Sequence, residues 1–402
     1  MKRLLKGIRV IDFTWIGAGS FTTKLLADLG ADVIKIETSA RLDSLRIARP
    51  FKDGVSGVNR SGYFADRNSS KRSITVNAKH PQGLQVVRRL IADADLVTNN
   101  FTPGVMEKMG LGYDAVREIR PDVVYASMSM QGTTGPEKDY LGYGLIIGAL
   151  TGVQHLTGLP DREPAGTGTN YPDHIPNPTH AAFAILAALR HRRRTGQGQL
   201  IDIAQTEPTL ALFGPWILNT ALNGRVDDRR GNSHPDMAPH GLYPCAGSDR
   251  WIAIAVADDV QWSAFCTAMG ILPRECWASA AGRLSDREAI DQAIAARTRE
   301  WDGHALMNLL QAAGVAAGVV NDAADVLEGD PQLRARGHWV QLDHPEMGAS
   351  VYNAPPFRFS DAQSAPSAPA PLLGQHTREI CEDVLGLDRA EVDRLIREGV
   401  LA

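Results

Sequence analysis

Residues 7–37 run GIRVIDFTWIGAGSFTTKLLADLGADVIKIE. Gly7 to Phe13 is rich in apolar and β-branched residues and reads as a strand, Ser20 to Leu29 has the spacing of a helix, Gly30 stops it, and Asp32 to Glu37 is a second strand. A strand, turn, helix and strand in this order form a βαβ unit, whose two strands lie parallel. Working outward, residues 38 to 62 are polar and glycine-rich and read as a long loop, a length that often carries function. Strands are then expected at Arg72 to Val76, Leu96 to Asn99 and Val123 to Ser127, with helices at Pro81 to Ala92 and Tyr113 to Arg120. An apolar helix from Thr179 to His191 ends in Arg192, Arg193 and Arg194, cations suited to a helix C-terminus, before Gly196 and Gly198. The expected class is α/β: a Rossmann-like large domain with a parallel sheet, plus a smaller α+β domain.

The chain's 402 residues exceed what one core usually serves, so two domains are expected. We place a large domain at 1–224, a small domain at 225–325 after the charged stretch Arg225 to Asn232, and a C-terminal segment, 326–402, that returns to the large domain. Ser360 to Pro371 is an Ala/Pro/Ser connector, and Asp388 with Glu391 makes a capping pattern for a last helix. The formal net charge of −4 argues against a general nucleic-acid binder. No apolar run approaches the ~20 residues of a membrane span. Cys245, Cys266, Cys276 and Cys381 are scattered without a CxxC pair, and no signal-like apolar segment follows MKRLLKG, so a reduced, cytoplasmic protein is expected. The histidines show no zinc-ligand spacing, and no metal is expected.

The turn TWIGAGS, residues 14–20, sets glycines before a helix N-terminus, where backbone amides approach an anion. Gly17 and Gly19 fit the first two places of a dinucleotide fingerprint, but Thr22 stands at the third, so a plain βα turn and a nucleotide site both stay open. Asp173, read alone, is an N-cap or loop aspartate.

Taken together, seven blocks are similar to the class III CoA-transferase family, which includes formyl-CoA and carnitine-CoA transferases. They are VIDFT (10–14) with ADLGADVIKIE (27–37), KRSI (71–74), NFTPGVMEKMG (100–110), YAS (125–127) with GP (135–136), RRTGQGQLID (193–202), DPQLRARG (330–337) and LGQHT (373–377). The resemblance implies an interlocked dimer and places the family's nucleophilic carboxylate at Asp173. It implies attack on an acyl-CoA thioester, a mixed anhydride, and then an aspartyl-CoA intermediate. It places CoA contacts at Ile16, Gly17, Lys71, Arg72, Asn100, Phe101 and Lys108. The CoA thioester is the substrate, and no tightly bound cofactor is implied. Donors for the tetrahedral intermediates are expected near Gly17 and Gly19.

Two departures from the pattern bear on specificity. Formyl-CoA transferases carry glutamine where this chain has Gly17, which is expected to leave room, beside Trp15, for an acid bulkier than oxalate. At Gly142-Tyr-Gly144 the usual acidic residue after the tyrosine is missing, so Tyr143 or His174 is expected to orient Asp173. The expected donor is succinyl-CoA and the acceptor a dicarboxylic or aryl-substituted acid, with Arg46 and Arg49 as candidates for its second carboxylate. An α-methylacyl-CoA racemase shares the aspartate but needs a histidine where Tyr143 stands, and predicts loss of α-deuterium without an acceptor. A nicotinamide oxidoreductase and a non-catalytic partner subunit of a heteromeric transferase are the other readings.

Overall fold

The computed structural model describes residues 2–402. Six parallel strands form the main sheet: β1 (Arg9–Asp12), β2 (Asp32–Glu37), β3 (Arg72–Thr75), β4 (Leu96–Asn99), β5 (Val124–Ser127) and β6 (Gln199–Asp202), in the spatial order 3-2-1-4-5-6. Strands of such a sheet are covered on both faces, and Val10, Ile11, Val33, Ile34, Leu96 and Val97 are accordingly buried. One face packs α3 (Pro81–Ala92) and the C-terminal residues Ile380, Leu385, Val392 and Leu395. The other packs α1 (Ile16–Asp28) and the helix Pro176–Thr195 through Leu26, Ala27, Ile185, Ala188 and Leu189. This strand order reverses direction between β1 and β4, and ligands of such sheets bind beyond the strand C-termini at that point.

Residues 2–153, 166–226 and 332–402 make one compact unit, and residues 154–165 and 227–331 a second. The second unit is built on an antiparallel sheet of β7 (His240–Pro244), β8 (Trp251–Ala255) and β9 (Ala316–Val319). Its core joins Ile252, Ile254, Trp262, Phe265, Ile290, Ile294, Leu306 and Leu310. In the first unit, β10 (Trp339–His344) and β11 (Gly348–Asn353) form a hairpin, and Asp388 caps the last helix by accepting from the Glu391 amide at 2.9 Å. No helix among the described residues is long and apolar enough to cross a membrane.

The elements differ from the sequence reading in two places near the switch point. Helix α1 starts at Ile16, not Ser20, taking Gly17 and Gly19 into its first turn against their low helix propensity. Packing decides this: a Cβ on Gly19 would stand 2.5 Å from the Thr14 Cβ and 3.0 Å from the Asn100 Cγ, so only glycine lets the helix enter here. The long loop leads into a helix, α2 (Gly62–Asn68), whose Phe64 amide donates to the Ser61 hydroxyl at 3.2 Å.

Candidate active site

The turn after β1 is held from below by buried charge. Asp12, at the end of β1, accepts from the Thr14 amide at 2.8 Å, the Thr14 hydroxyl at 2.6 Å and the Thr23 hydroxyl at 2.7 Å. Lys35 donates to the Thr14 carbonyl at 2.6 Å and pairs with Asp43 at 3.0 Å. Asp43 in turn accepts from the Ile16 amide at 3.2 Å. That contact pins Ile16 at φ 59°, a left-handed conformation rare for a β-branched residue and of a kind that clusters at functional sites.

Across the switch point, Asn100 follows β4 and clamps the backbone of Trp15. Its Oδ1 accepts from the Trp15 amide at 2.8 Å, and its Nδ2 donates to the Trp15 carbonyl at 2.7 Å. Phe101 meets the Trp15 ring edge-on at 5.7 Å, and the Arg41 guanidinium lies over that ring at 5.1 Å. The result is an aromatic and cationic ledge at the mouth of the crevice.

Asp173 reaches this point from the short helix Tyr171–His174 and is 2% exposed. Its Oδ2 accepts from the Gly144 amide at 3.0 Å, while Oδ1 is buried with no hydrogen-bond partner among the described residues. Burial pushes the carboxyl up to about 6, against the lowering effect of the Gly144 amide. At neutral pH the group is therefore mostly an ionised carboxylate, with one oxygen held and the other without a hydrogen-bond partner among the described residues.

The structure thus brings Ile16, Gly17, Gly19, Asn100, Phe101, Asp173 and His174 to one place. Gly17 abuts the Asp173 and His174 side chains, since a Cβ there would stand 3.0 Å from the Asp173 Cβ and 3.5 Å from the His174 Cε1. The space expected from the missing glutamine side chain is filled by Asp173 and His174, so position 17 does not enlarge the pocket. Tyr143 and His174 do not hold Asp173 by their side chains. Tyr143 is exposed, and the orienting donor is the amide of the next residue, Gly144, whose own Cβ would lie 2.4 Å from the Asn170 Cβ. His174 bonds instead to Tyr63 and Arg67 of α2.

Three other basic residues named from the sequence, Lys71, Arg72 and Arg46, are tied to acidic partners within the fold. Lys71 is buried, donating to Asp12 at 3.2 Å, the Ser20 carbonyl at 2.9 Å and Asn68 at 2.8 Å, so its ammonium faces no ligand. Arg72 grips Asp32 with two bonds of 2.6 Å, at the N-terminal ends of β3 and β2, the edge opposite the crevice. Arg46 is fully buried, paired with Glu37 through bonds of 2.7 and 2.6 Å and stacked 3.7 Å over Phe64. It cannot bind a substrate carboxylate. Arg49 and Lys108 are exposed. In the helix Pro176–Thr195, Arg192 pairs with Asp95 at 2.5 Å and Asp122 at 2.7 Å and ties that helix to the sheet.

The sequence reading passed over Tyr63, Arg67 and the Gly144 amide. Tyr63 and Arg67 stand four residues apart, one face of a helix, but only once α2 is known to be a helix. Volume alone does not locate the chemistry either: a cavity of about 500 Å³ in the second unit, lined by Asn232, Ser233, His240 and Ala253 among others, holds no carboxylate or thiol nucleophile.

A doubly wound sheet with a half-bonded, buried carboxylate at its switch point has the parts that acyl transfer through a carboxylate needs. Residues 5–377 match the model of "CoA-transferase family III", and the chain belongs to that family. It is 33% identical over 390 residues to the succinate–glutarate CoA-transferase of Agrobacterium fabrum, covering 96% of each chain. It is 33% identical to the succinyl-CoA–D-citramalate CoA-transferase of Chloroflexus aurantiacus, over 99% of this chain and 98% of that one. The crystal structure of a CAIB/BAIF family protein from Brucella suis superposes with a TM-score of 0.86 at 34% identity, over 98% of this chain and all of that one. The protein is a CoA-transferase-family enzyme.

Proposed function

We propose that this enzyme moves CoA from succinyl-CoA to a second dicarboxylic acid, with Asp173 as the covalent nucleophile. The observation that carries the reading is the buried Asp173 carboxylate, bonded through one oxygen to Gly144 and free at the other. Attack on the thioester carbonyl expels CoA as its thiolate and leaves a succinyl-aspartyl anhydride. The thiolate then attacks the Asp173 acyl carbon, succinate departs, and aspartyl-CoA remains to be resolved by the acceptor carboxylate. A water-poor site protects the anhydride, which the depth of Asp173 favours. The relatives' names support the succinyl donor and a dicarboxylic acceptor.

In this reading the Trp15–Phe101 ledge with Arg41, together with the Ile16–Gly17 backbone and the exposed Lys108, receives the CoA moiety. The thioester is the substrate, and no resident cofactor is invoked. Arg49 is left to meet the acceptor's second carboxylate; its neighbour Pro50 packs by Gly62 at the start of α2. An acceptor KM unchanged in Arg49→Ala would remove that role. The free cysteines agree with a reducing cytoplasmic setting.

The test is intact-protein mass spectrometry after incubation with succinyl-CoA and no acceptor. A CoA-sized, hydroxylamine-sensitive adduct is expected on the wild type and none on Asp173→Ala. Loss of α-deuterium from a 2-methylacyl-CoA, without adduct, would instead mark a racemase, and a chain inert alone but active with a related chain would mark a partner subunit.

A further inference from the structure

A hydrogen-bonded row beside Asp173 is unused by the chemistry above. The Arg67 Nη2 lies 3.1 Å from the Nδ1 of His174, and the His174 Nε2 lies 3.2 Å from the Tyr63 hydroxyl, with the two rings edge to face at 5.9 Å. A guanidinium has only donors, so Nδ1 must accept, and the single proton of the neutral ring sits on Nε2. Burial, and then the charge of Arg67, push the ring down to about 4, so it is neutral at working pH. Nε2–H therefore donates to the Tyr63 oxygen, and the phenol's own proton is left for a third group. No other partner of that hydroxyl occurs among the described residues.

Tyr63 reaches the Asp173 neighbourhood through His174, whose ring it contacts. His174 follows Asp173 in the chain, and both abut Gly17. Burial pushes the Tyr63 phenol up, the charge of Arg67 opposes this, and the Asp173 carboxylate adds to the rise.

We propose that Arg67 and His174 fix the direction of the Tyr63 hydroxyl so that it donates to the oxyanion formed when Asp173 attacks the thioester. The role rests on Asp173 being the nucleophile. In the attack a bond forms between an Asp173 oxygen and the acyl carbon, and the carbonyl π pair moves onto its oxygen. The C=O then re-forms as the C–S bond breaks and CoA leaves as the thiolate. No proton is transferred; Tyr63 contributes a hydrogen bond that strengthens as charge builds. Tyr63 is thus a catalytic residue, and His174 and Arg67 are positioning residues. The reverse polarity, Tyr63 donating to Nε2, would set an Nδ1–H against a guanidinium N–H.

The experiment follows adduct formation from succinyl-CoA in single turnovers by quenched intact-mass measurement. Tyr63→Phe should slow it about 10²- to 10³-fold, the loss typical of an oxyanion donor, with half-saturating succinyl-CoA within about threefold of wild type. His174→Leu should behave likewise, and His174→Gln, whose amide restores a donor, should recover about tenfold of the loss. On the wild-type protein, ¹⁵N resonances of His174 should report a neutral ring protonated at Nε2. A Tyr63→Phe rate within about twofold of wild type, or a proton on Nδ1, overturns the role whatever the variants' stability. A wild type that forms no adduct removes the nucleophile reading and this role together; a wild type that forms it, matched by Tyr63→Phe, removes this role alone.

Discussion

At Asp173 the chain keeps a carboxylate where water cannot solvate it well, and that cost raises its pKa. Because burial raises its pKa to about 6, adduct formation from succinyl-CoA should be half-maximal near pH 6 and fall about tenfold per pH unit below that, as the neutral acid is no nucleophile. The same shift bears on stability. Between about pH 4 and 6 the native state binds a proton that the unfolded chain has released, so wild type loses stability as pH rises through this window. Asp173→Asn keeps an acceptor for the Gly144 amide without the charge, so it should be more stable than wild type by on the order of 2–3 kcal/mol above pH 6, and equal to it below pH 4. Equilibrium urea unfolding at pH 4 and 7 checks this, and an unchanged difference across the two would contradict it. Asp173 was singled out from the distinctive downstream string RRTGQGQLID, and the structure buries its carboxylate against the Gly144 amide. Lys71 and Arg72 were not legible in the same way: a basic pair beside a strand does not say which side chain turns inward, and Asp12 and Asp32 settle it from far away in the chain.

Elements meet at this site with almost no clearance. The first turn of α1 meets Thr14, after β1, and Asn100, after β4, at Gly19, and the helix Gly144–Leu150 meets Asn170 and Asp173 at Gly144. Gly144→Ala would drive a methyl into Asn170 and move the amide that holds Asp173. We expect about 1–3 kcal/mol of destabilisation, as for overpacking, and a fall in adduct rate out of proportion to any change in succinyl-CoA half-saturation. Arg46 acts differently, as a buried strut between the long loop and β2. Arg46→Ala leaves Glu37 buried without its partner and should cost about 3–5 kcal/mol, read as a lowered urea midpoint, with no selective rise in acceptor KM. Strands and most helices of the sheet followed from period and punctuation, whereas α2 and the true start of α1 did not, because glycines and a polar loop hide helices that packing imposes.

On the scale of the whole molecule, the helix Gly214–Asn223 carries Trp216, Ile217, Leu218 and Leu222 exposed, the last at 78%, with Phe183 and Leu212 also uncovered in the same compact unit. Apolar side chains in such number invite a partner, and the dimer implied by the family resemblance supplies a second copy of this chain. Light scattering should give twice the mass of one chain, and Trp216→Asp with Leu222→Asp should shift it toward one; a wild-type monomer would count against the pairing.

The sequence by itself determined the parallel α/β sheet and the family, and it singled out Asp173 as the candidate nucleophile, because periodicity and short strings are local properties. Only the tertiary structure decided which charges are spent inside, that a backbone amide rather than a side chain orients Asp173, and that Tyr63, Arg67 and His174 form one row beside it. Those are contacts between residues tens to more than a hundred positions apart. Burial and close packing select their partners, and neither is written in the spacing of one chain.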